Sequence, residues 1–532
     1  MQALLQKGKG LFCIVCSVLL AAALLPAIPT STQQAYATSW DGNATGTATI
    51  GGLRNATSTV TLYQVAKTTL NTTNNTLSTV FTKGATTGID WNAIDSNVAQ
   101  GTLTISGLEG KDDNGTEIKA AANTIASYVL NSANTASFTS KTGLTSSAAG
   151  DDGLYTSTVS DLDAGLYLVS VTDSTNANVV YQNMLVAVNP DDQTDGTWSV
   201  PSGTVNLKSS TVTVNKYVGT SSEDTSTATS ITTLGAGDYA YYTVTATVPT
   251  YSTTTGRTYT LSDTMPTGLA LDATDGNITI TSSEKTDLTA GDNNDYTLTA
   301  TATGLTVAFH PAGLSKLAGQ TITLKYRAQI GSGDYPAIKN TAELTYSTDS
   351  ATDATNTDNP QKNTATVNTY KLMIAKQNTG NTNLAGAKFN LYEGADTTGT
   401  PVNSTPIETK STGEVLLAQT LGTGTYTLVE TAAPAGYSAV PNITITIAAD
   451  GSNTASFASD AVSGQAVSIS NSDSWSTDHT ATVLVTDAVS NAGILPGTGG
   501  TGTVLITVIG LLIMAAAVTM IVRNRRKNNA TK

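Results

Sequence analysis

Short runs in which apolar and polar residues alternate recur along most of this 532-residue chain. Examples are STVTVNKYV, YAYYTVTATV, GNITITS, QTITLKYRAQI, NITITIA and AVSISNS. Because successive side chains of a β-strand point to opposite faces, such alternation indicates strands with one buried and one solvated face. Abundant Thr, Val and Ser also favour strands joined by turns. We therefore predict an all-β chain of tandem immunoglobulin-like β-sandwich domains.

Both ends of the chain differ from this body. A basic start, the apolar run LFCIVCSVLLAAALL and the small-x-small site AYA predict a secretory signal peptide at residues 1–37. Residues 503–522 are uncharged, apolar and long enough to cross a bilayer, and the basic segment RNRRK follows them. We predict a C-terminal transmembrane helix there. The pentapeptide LPGTG stands just before it, as Leu495, Pro496, Gly497, Thr498 and Gly499.

Charge and rare residues exclude several classes of protein. The formal net charge is −14, and the body is more acidic still because both end segments carry only basic residues. Such a surface argues against nucleic-acid binding. The only two cysteines, Cys13 and Cys16, lie in the predicted signal peptide, and the chain has two His. We therefore expect no disulfide, no cofactor and no metal site in the exported protein.

Turn-rich passages at residues 189–210 and 348–363 divide the body. We predict domains at residues 38–200, 209–369 and 370–473, then a spacer at 474–494 and a terminal region at 495–532. Helical spacing of Ile125, Val129 and Leu130 in AANTIASYVLNSA predicts some helix within the first domain.

The order of LPGTG, apolar span and basic tail resembles the cell-wall sorting signal of Gram-positive surface proteins. In that family a sortase cuts between Thr and Gly, here between Thr498 and Gly499, and passes the Thr498 acyl group to an amine. The resemblance implies a precursor held in the membrane by its C-terminal helix. It also implies a mature protein at the cell surface, covalently anchored to the peptidoglycan of the cell wall.

The stretch WSVPSGTVNLKSS resembles the pilin-motif region of Gram-positive major pilins. Trp198, Val205 and Lys208 match the family pattern, whereas Asn206-Leu207 replaces its Tyr-Pro. The resemblance implies that Lys208 of one subunit receives Thr498 of the next. The partners implied are other copies of this chain, a class C sortase, a housekeeping sortase and accessory pilins.

Two lysines fall on the apolar face of predicted strands. Lys216 follows Val212 and Val214 on one face of TVTVNKYV, and Lys376 has the same position in YKLMIAK. Lysines are rarely buried unless paired, and burial lowers the pKa toward the neutral, nucleophilic amine. Both stretches, with LAGAKFNLYEG, resemble the first strands of isopeptide-forming pilin domains. In that family the lysine amine attacks an Asn amide beside a buried acid, and ammonia leaves.

The resemblance assigns the partners of each lysine. In the last domain, YTLVETAAPAGY makes Glu430 the acid, and the strand AVSISNS makes Asn471 the acceptor for Lys376.

In the middle domain, YTLSDTMPTGL makes Asp263 the acid, and IKNTAELTYS makes Asn340 the acceptor for Lys216. Asn363 in KNTATVNTY has the same local pattern and is the alternative acceptor. The first domain offers neither a matching lysine nor a matching acid, because Ile50 and Gly51 stand where the lysine would be. We expect no cross-link there.

Together these features imply a structural subunit of a covalently polymerised surface pilus. It would be a sortase substrate and not an enzyme, because each internal bond forms once. One alternative is a wall-anchored adhesin or accessory pilin that is not polymerised through its own lysine. A secreted hydrolase on a β scaffold is disfavoured by the scarcity of His and Cys.

Overall fold

The computed structural model describes residues 44–490 and 501–528 apart from short interruptions. These lie at 72–75, 82–101, 104–121, 123–124, 127, 131–133, 146–148, 173–177, 189–190, 193–197, 201, 349–354, 358–359 and 418–419. The predicted signal peptide and LPGTG are thus outside the described residues. Strands dominate the described chain, which confirms the all-β prediction. The described residues form two compact units. The first lies within Met1–Ile231, Tyr239–Ile330 and Ile338–Val367, and the second within Thr232–Asp238, Gly331–Ala337 and Asn368–Lys532.

The first unit begins with an N-terminal β region. Its strands are β1 (Thr45–Leu53), β2 (Thr59–Asn71), β3 (Thr76–Phe81), β4 (Thr102–Leu103), β5 (Ser140–Thr145), β6 (Tyr155–Asp163), β7 (Gly165–Thr172), β8 (Val179–Tyr181), β9 (Met184–Val188), β10 (Asp191–Asp192), β11 (Trp198–Ser199), β12 (Gly203–Asn206) and β13 (Ser209–Thr211). The main sheet has the order β12-β1-β6-β5-β2-β3-β4, and β7 joins β2 to β9. Because β12 and β13 pair with β1 and β8, residues 203–211 fold with this region, beyond its predicted end at residue 200.

The same region contains the helical turn that the sequence predicts. The described residues between 122 and 129 are helical, and a 3-10 turn follows at Thr135–Ser137. Ile125 and Val129 are fully buried and pack against Leu168 of β7. The apolar spacing therefore marks a helix face that covers the sheet.

The second part of the first unit is a two-sheet sandwich. It comprises β14 (Val214–Gly219), β15 (Ser230–Ile231), β16 (Tyr239–Thr247), β17 (Tyr259–Thr264), β18 (Leu269–Leu271), β19 (Thr279–Ser282), β20 (Tyr296–Thr301), β21 (Gly304–Phe309), helix α1 (Pro311–Leu317), β22 (Thr321–Ile330), β23 (Ala337–Tyr346) and β24 (Gln361–Asn368). One sheet has the order β14-β16-β22-β18, with β19 also on β22. The facing sheet has the order β15-β24-β23-β17-β21-β20. In β16 and β22 every second residue is buried and the residues between are partly buried or exposed, which places one face of each strand in the core.

The second unit contains another two-sheet sandwich. It comprises β25 (Lys371–Asn378), β26 (Lys388–Glu393), β27 (Ile407–Glu408), β28 (Glu414–Leu416), β29 (Gly424–Ala432), β30 (Ile443–Ile447), β31 (Thr454–Phe457), β32 (Ala466–Asn471), helix α2 (Trp475–Asp478) and β33 (Thr480–Asp487). The sheets have the orders β28-β25-β33-β32 and β27-β26-β29-β30-β31.

Strand β33 lies inside the segment 474–494 that the sequence analysis assigns to a spacer. It runs parallel to β25 on one side and antiparallel to β32 on the other. Ala481, Val483 and Val485 alternate on its buried face and belong to the core of the sandwich. That part of the segment is therefore an interior strand of the domain and not a linker.

A helix, α3 (Thr501–Asn528), follows the region that carries LPGTG. It covers the apolar stretch 503–522, as predicted, and Leu512, Ile513 and Met520 on it are exposed. In the part of the chain that the structure describes, no helix is both long and apolar enough to cross a membrane. The transmembrane assignment of residues 503–522 is therefore not supported.

Candidate functional site

Lys216 and Lys376 are the only buried lysines among the described residues, with exposures of 0% and 1%. Each stands on the first strand of a sandwich, β14 or β25, at a position where alternation turns the side chain inward. A buried ammonium is costly unless it is paired, so each amine requires a partner or must be neutral. In both sandwiches the partner is a buried carboxyl group.

In the middle sandwich the Lys216 amine meets the carboxyl group of Asp263, which lies on β17 of the facing sheet. Lys216 Nζ also donates to the hydroxyl of Tyr326 at 2.7 Å. That hydroxyl donates to Asp263 Oδ2 at 2.5 Å and accepts from Asn340 Nδ2 at 3.0 Å. The structure thus brings together Lys216, Asp263 and Asn340, the three residues that the sequence assigns to this site.

Tyr326 was not singled out from the sequence, although the signal is present there. In TITLKYRAQI of β22, the residues Ile322, Leu324 and Tyr326 share the buried face. A tyrosine on an otherwise apolar inner face carries a hydroxyl that requires a hydrogen-bond partner. An inward-facing tyrosine opposite an inward-facing lysine therefore marks a polar site.

The alternative acceptor, Asn363, lies on β24 and is half-buried. Its side-chain oxygen accepts a hydrogen bond from the backbone N–H of Lys216 at 3.0 Å. The contact of Asn363 is thus with the main chain of β14, whereas Asn340 is linked to the Lys216 amine through Tyr326. This geometry favours Asn340 as the acceptor.

Burial changes the protonation of the pair in the middle sandwich. It lowers the pKa of Lys216 to about 8, although the charge of Asp263 acts in the opposite direction. Burial also raises the pKa of Asp263 in spite of the Lys216 charge. Both shifts favour a neutral amine beside a neutral acid. Asp263 Oδ1 and Asn340 Oδ1 are buried without a hydrogen-bond partner, and a proton on the acid gives that carboxyl group a donor.

The last sandwich holds the second site. The Lys376 amine contacts Asp487 Oδ1 and lies 2.9 Å from Glu430 Oε1. Glu430 is on β29 of the facing sheet, and its Oε2 accepts the backbone N–H of Val440 at 2.9 Å. Asp487 is fully buried, and burial raises its pKa to about 6, with a smaller contribution from the Glu430 charge. Of the residues that the sequence assigns to this site, the structure brings Lys376 and Glu430 together.

Asn471, which the sequence assigns as the acceptor for Lys376, lies elsewhere. It ends β32, its side chain is exposed, and it is opposite Ala481 of β33. Lys376 is opposite Val485, four residues further along β33. The structure therefore does not bring Asn471 to Lys376, because β33 lies between their strands. The buried side chain at the amine is Asp487, which falls in the segment predicted to be a spacer.

Of the two residues assigned to subunit linkage, the structure describes Lys208 and not Thr498. Lys208 is exposed between β12 and β13, and its carbonyl oxygen accepts the N–H of Gln182 at 2.9 Å. Trp198 of the matched motif lies on β11, which pairs with β10. Thr498 and the rest of LPGTG lie outside the described residues.

The fold and the sites share one plan. Sandwich domains follow one another along the chain, and each of two successive sandwiches contains a buried lysine–carboxyl centre. Residues 370–461 match the SpaA prealbumin-like fold domain family. Residues 489–529 match the LPXTG cell wall anchor motif, which supports attachment at the cell-wall surface. No curated protein matches the chain significantly.

Solved structures of Gram-positive pilins resemble the chain. The backbone pilin of Streptococcus pyogenes is 20% identical, with a TM-score of 0.55 over 77% of this chain and 81% of that one. The major pilin SpaA of Corynebacterium diphtheriae is 15% identical, with a TM-score of 0.44 over 83% and 99%. SpaD of the same species is 18% identical, with a TM-score of 0.43 over 75% and 90%. The similarity to the Streptococcus pyogenes backbone pilin shows a shared fold.

Proposed function

We propose that this chain is the shaft-forming subunit of a covalently polymerised surface pilus and a sortase substrate, not an enzyme. The SpaA-type domain, the anchor motif and the fold shared with a streptococcal backbone pilin support this role. The observation that carries the proposal is the pair of buried centres, each with an amine, an acid and a carbonyl acceptor. We infer that each centre forms a covalent cross-link that reinforces the subunit against load.

In the middle sandwich, the neutral Lys216 amine attacks the side-chain carbonyl carbon of Asn340. A C–N bond forms, the bond to Nδ2 breaks, and one proton passes from Nζ to Nδ2, which leaves as ammonia. Asp263 is the acid that carries protons between the two nitrogens and, when protonated, polarises the amide. The product is a Lys216–Asn340 isopeptide bond.

In the last sandwich, the Lys376 amine attacks the carboxyl carbon of Asp487, and water leaves. Glu430, 2.9 Å from the amine, is the proton carrier. The reacting acceptor is the neutral carboxyl group, because a carboxylate resists attack by an amine. The raised pKa of Asp487, about 6, increases that neutral fraction. Asp487 thus takes the place proposed for Asn471 from the sequence.

Subunit linkage uses the exposed Lys208. A class C sortase cleaves between Thr498 and Gly499 and joins the Thr498 carbonyl to the Lys208 amine of the next subunit. A housekeeping sortase finally transfers the polymer to peptidoglycan, and accessory pilins complete the assembly. Exposure of Lys208 supports this role, since an acceptor amine must reach the active site of another protein.

The test is the intact mass of denatured residues 38–498. We expect the wild type to lack one ammonia and one water. Asp263→Asn should restore the ammonia mass, and Asp487→Ala should restore the water mass. Asn471→Ala is the matched control and should leave both deficits unchanged.

Other outcomes discriminate between the proposals. Loss of two ammonia molecules, reduced to one by Asn471→Ala, would contradict Asp487 as the acceptor. No mass deficit would contradict both cross-links and favour a wall-anchored adhesin or accessory pilin.

A further inference from the structure

We propose that Tyr326 is a catalytic residue of the middle-sandwich reaction and delivers the proton to the departing nitrogen of Asn340. This inference rests on the proposed cross-link between Lys216 and Asn340. Its basis is that one hydroxyl contacts all three other members of the centre. It lies 2.7 Å from Lys216 Nζ, 2.5 Å from Asp263 Oδ2 and 3.0 Å from Asn340 Nδ2.

These three contacts provide a proton path, in which the Tyr326 hydroxyl turns from Asp263 to Nδ2 once addition of the amine has given that nitrogen a free electron pair. The Tyr326 O–H donates to Asp263, while its oxygen accepts from the attacking nitrogen and from the leaving nitrogen. After the amine adds to the amide, the Lys216 nitrogen must lose one proton and Nδ2 must gain one. The protonated Asp263 gives its proton to the Tyr326 oxygen as the O–H proton passes to Nδ2, and the carboxylate that results then takes one proton from Nζ. Tyrosine and aspartic acid end unchanged, and ammonia leaves.

The ring of Tyr326 is packed within the core. The residue is 2% exposed on β22, and its ring stacks on Tyr242 with centroids 5.3 Å apart and planes at 23°. Burial and the nearby Asp263 raise its pKa well above the ordinary value, so the hydroxyl keeps its proton at rest. Because the ring packing does not involve the hydroxyl, Tyr326→Phe removes the proton path and preserves the ring that fills the core.

The second centre provides a contrast within the same chain. In the described contacts, the Lys376 amine meets two carboxyl groups and, 5.6 Å away, the ring of Phe389, which has no hydroxyl. Its acceptor, Asp487, expels water, and oxygen is a better leaving atom than an amide nitrogen. The middle sandwich has the poorer leaving group, and it is also the centre that has the additional proton donor.

The test follows the mass of residues 38–498 at successive times after cell-free synthesis. We expect Tyr326→Phe to slow the loss of ammonia about 100-fold, as for loss of a general acid. Loss of water at Lys376 should proceed at the wild-type rate. Tyr259→Phe is the matched control, because it removes a buried tyrosine hydroxyl that donates to the Thr247 carbonyl in the same sandwich.

Asn340→Asp separates proton delivery from simple positioning. This acceptor loses a hydroxyl group, which can leave before it takes up its proton to form water, whereas an amino group cannot, so adding Tyr326→Phe should change its rate less than threefold. Equal slowing with both acceptors would overturn the catalytic role and show that Tyr326 only positions the amine. Ammonia loss at the wild-type rate in Tyr326→Phe would exclude any role. A wild type that never loses ammonia would overturn the cross-link itself.

Discussion

Lys216 and Lys376 share side chain, burial and strand position, yet different acceptors stand beside them. Asn340 lies on the facing sheet, across the core from Lys216, and is linked to it through Tyr326. Asp487 lies on the strand next to Lys376, in direct contact with its amine. A lysine amine is thus proposed to expel ammonia in one sandwich and water in the other. At this scale, burial supplies the reactivity and the acceptor decides the product.

The protonation of Lys216 predicts a pH dependence that appears when its acceptor is removed. In Asn340→Ala the amine remains free, with a folded-state pKa of about 8 against 10.5 in the unfolded chain. Between these values the unfolded state binds more protons, so the free energy of unfolding rises with pH. We expect a rise of about 3 kcal/mol across the full window. Urea unfolding between pH 7.5 and 10 measures it.

The control for this experiment is the double variant Lys216→Met/Asn340→Ala, which lacks the titrating amine. It should show no comparable rise. At acid pH the sign reverses for Asp263, whose pKa is raised, so stability falls as pH rises through the range of that carboxyl group. A single variant whose stability is flat from pH 8 to 10 would contradict a lowered pKa for Lys216.

Among the elements, β33 has the greatest consequence for the last sandwich. It places the first and last strands of the domain side by side and parallel. A bond from Lys376 to Asp487 spans 111 residues of sequence, and closing such a loop stabilises by about 4–5 kcal/mol in the chain-entropy view. A force applied at the ends of this domain then passes through the covalent bond before it reaches most of the β ladder.

In the middle sandwich, the proposed acceptor does not lie on the last strand. Asn340 lies on β23, and β24 follows it as the last strand. A Lys216–Asn340 bond therefore leaves β24 outside the closed loop. The ladder of β24 is protected less than the rest of the domain.

The position of β33 predicts the effect of truncation. A chain that ends at residue 473 retains the strand AVSISNS but loses the strand that separates it from β25. The burial of Val483 and Val485 is then lost, which lowers the free energy of unfolding by about 1.5–3 kcal/mol for each side chain. We expect the last sandwich to become sensitive to proteolysis, whereas a chain that ends at residue 490 should resist. Limited proteolysis with mass analysis measures this difference. Equal resistance of the two chains to the protease would contradict an interior position for β33.

For the whole molecule, the absence of cysteine after Cys16 means that any covalent reinforcement must come from other side chains. Amide cross-links are not reversed by thiol reductants, unlike disulfides. The acidic body keeps such a surface protein soluble. A bond between subunits by the same amide chemistry would make the polymer continuous from one chain to the next.

Polymerisation through one lysine is testable at this scale. Lys208→Ala should abolish the high-mass ladder that wild-type chain and a class C sortase produce on denaturing gels. The internal mass deficits should persist, since Lys208 is exposed and belongs to neither buried centre. Lys141→Ala is the matched control, another exposed lysine of the N-terminal β region, and should form normal ladders. A ladder in Lys208→Ala would favour the accessory or adhesin role.

The sequence by itself determined the strands and the inward direction of Lys216 and Lys376, and its resemblance to isopeptide-forming pilin domains indicated the acids Asp263 and Glu430. Alternation suffices for the strands and the two lysines, because it reports which face of a strand each side chain occupies. It does not report which strands are neighbours, since pairing joins segments more than a hundred residues apart. Only the tertiary structure put β33 beside β25, brought Asp487 to Lys376, and placed the Tyr326 hydroxyl among three reacting groups.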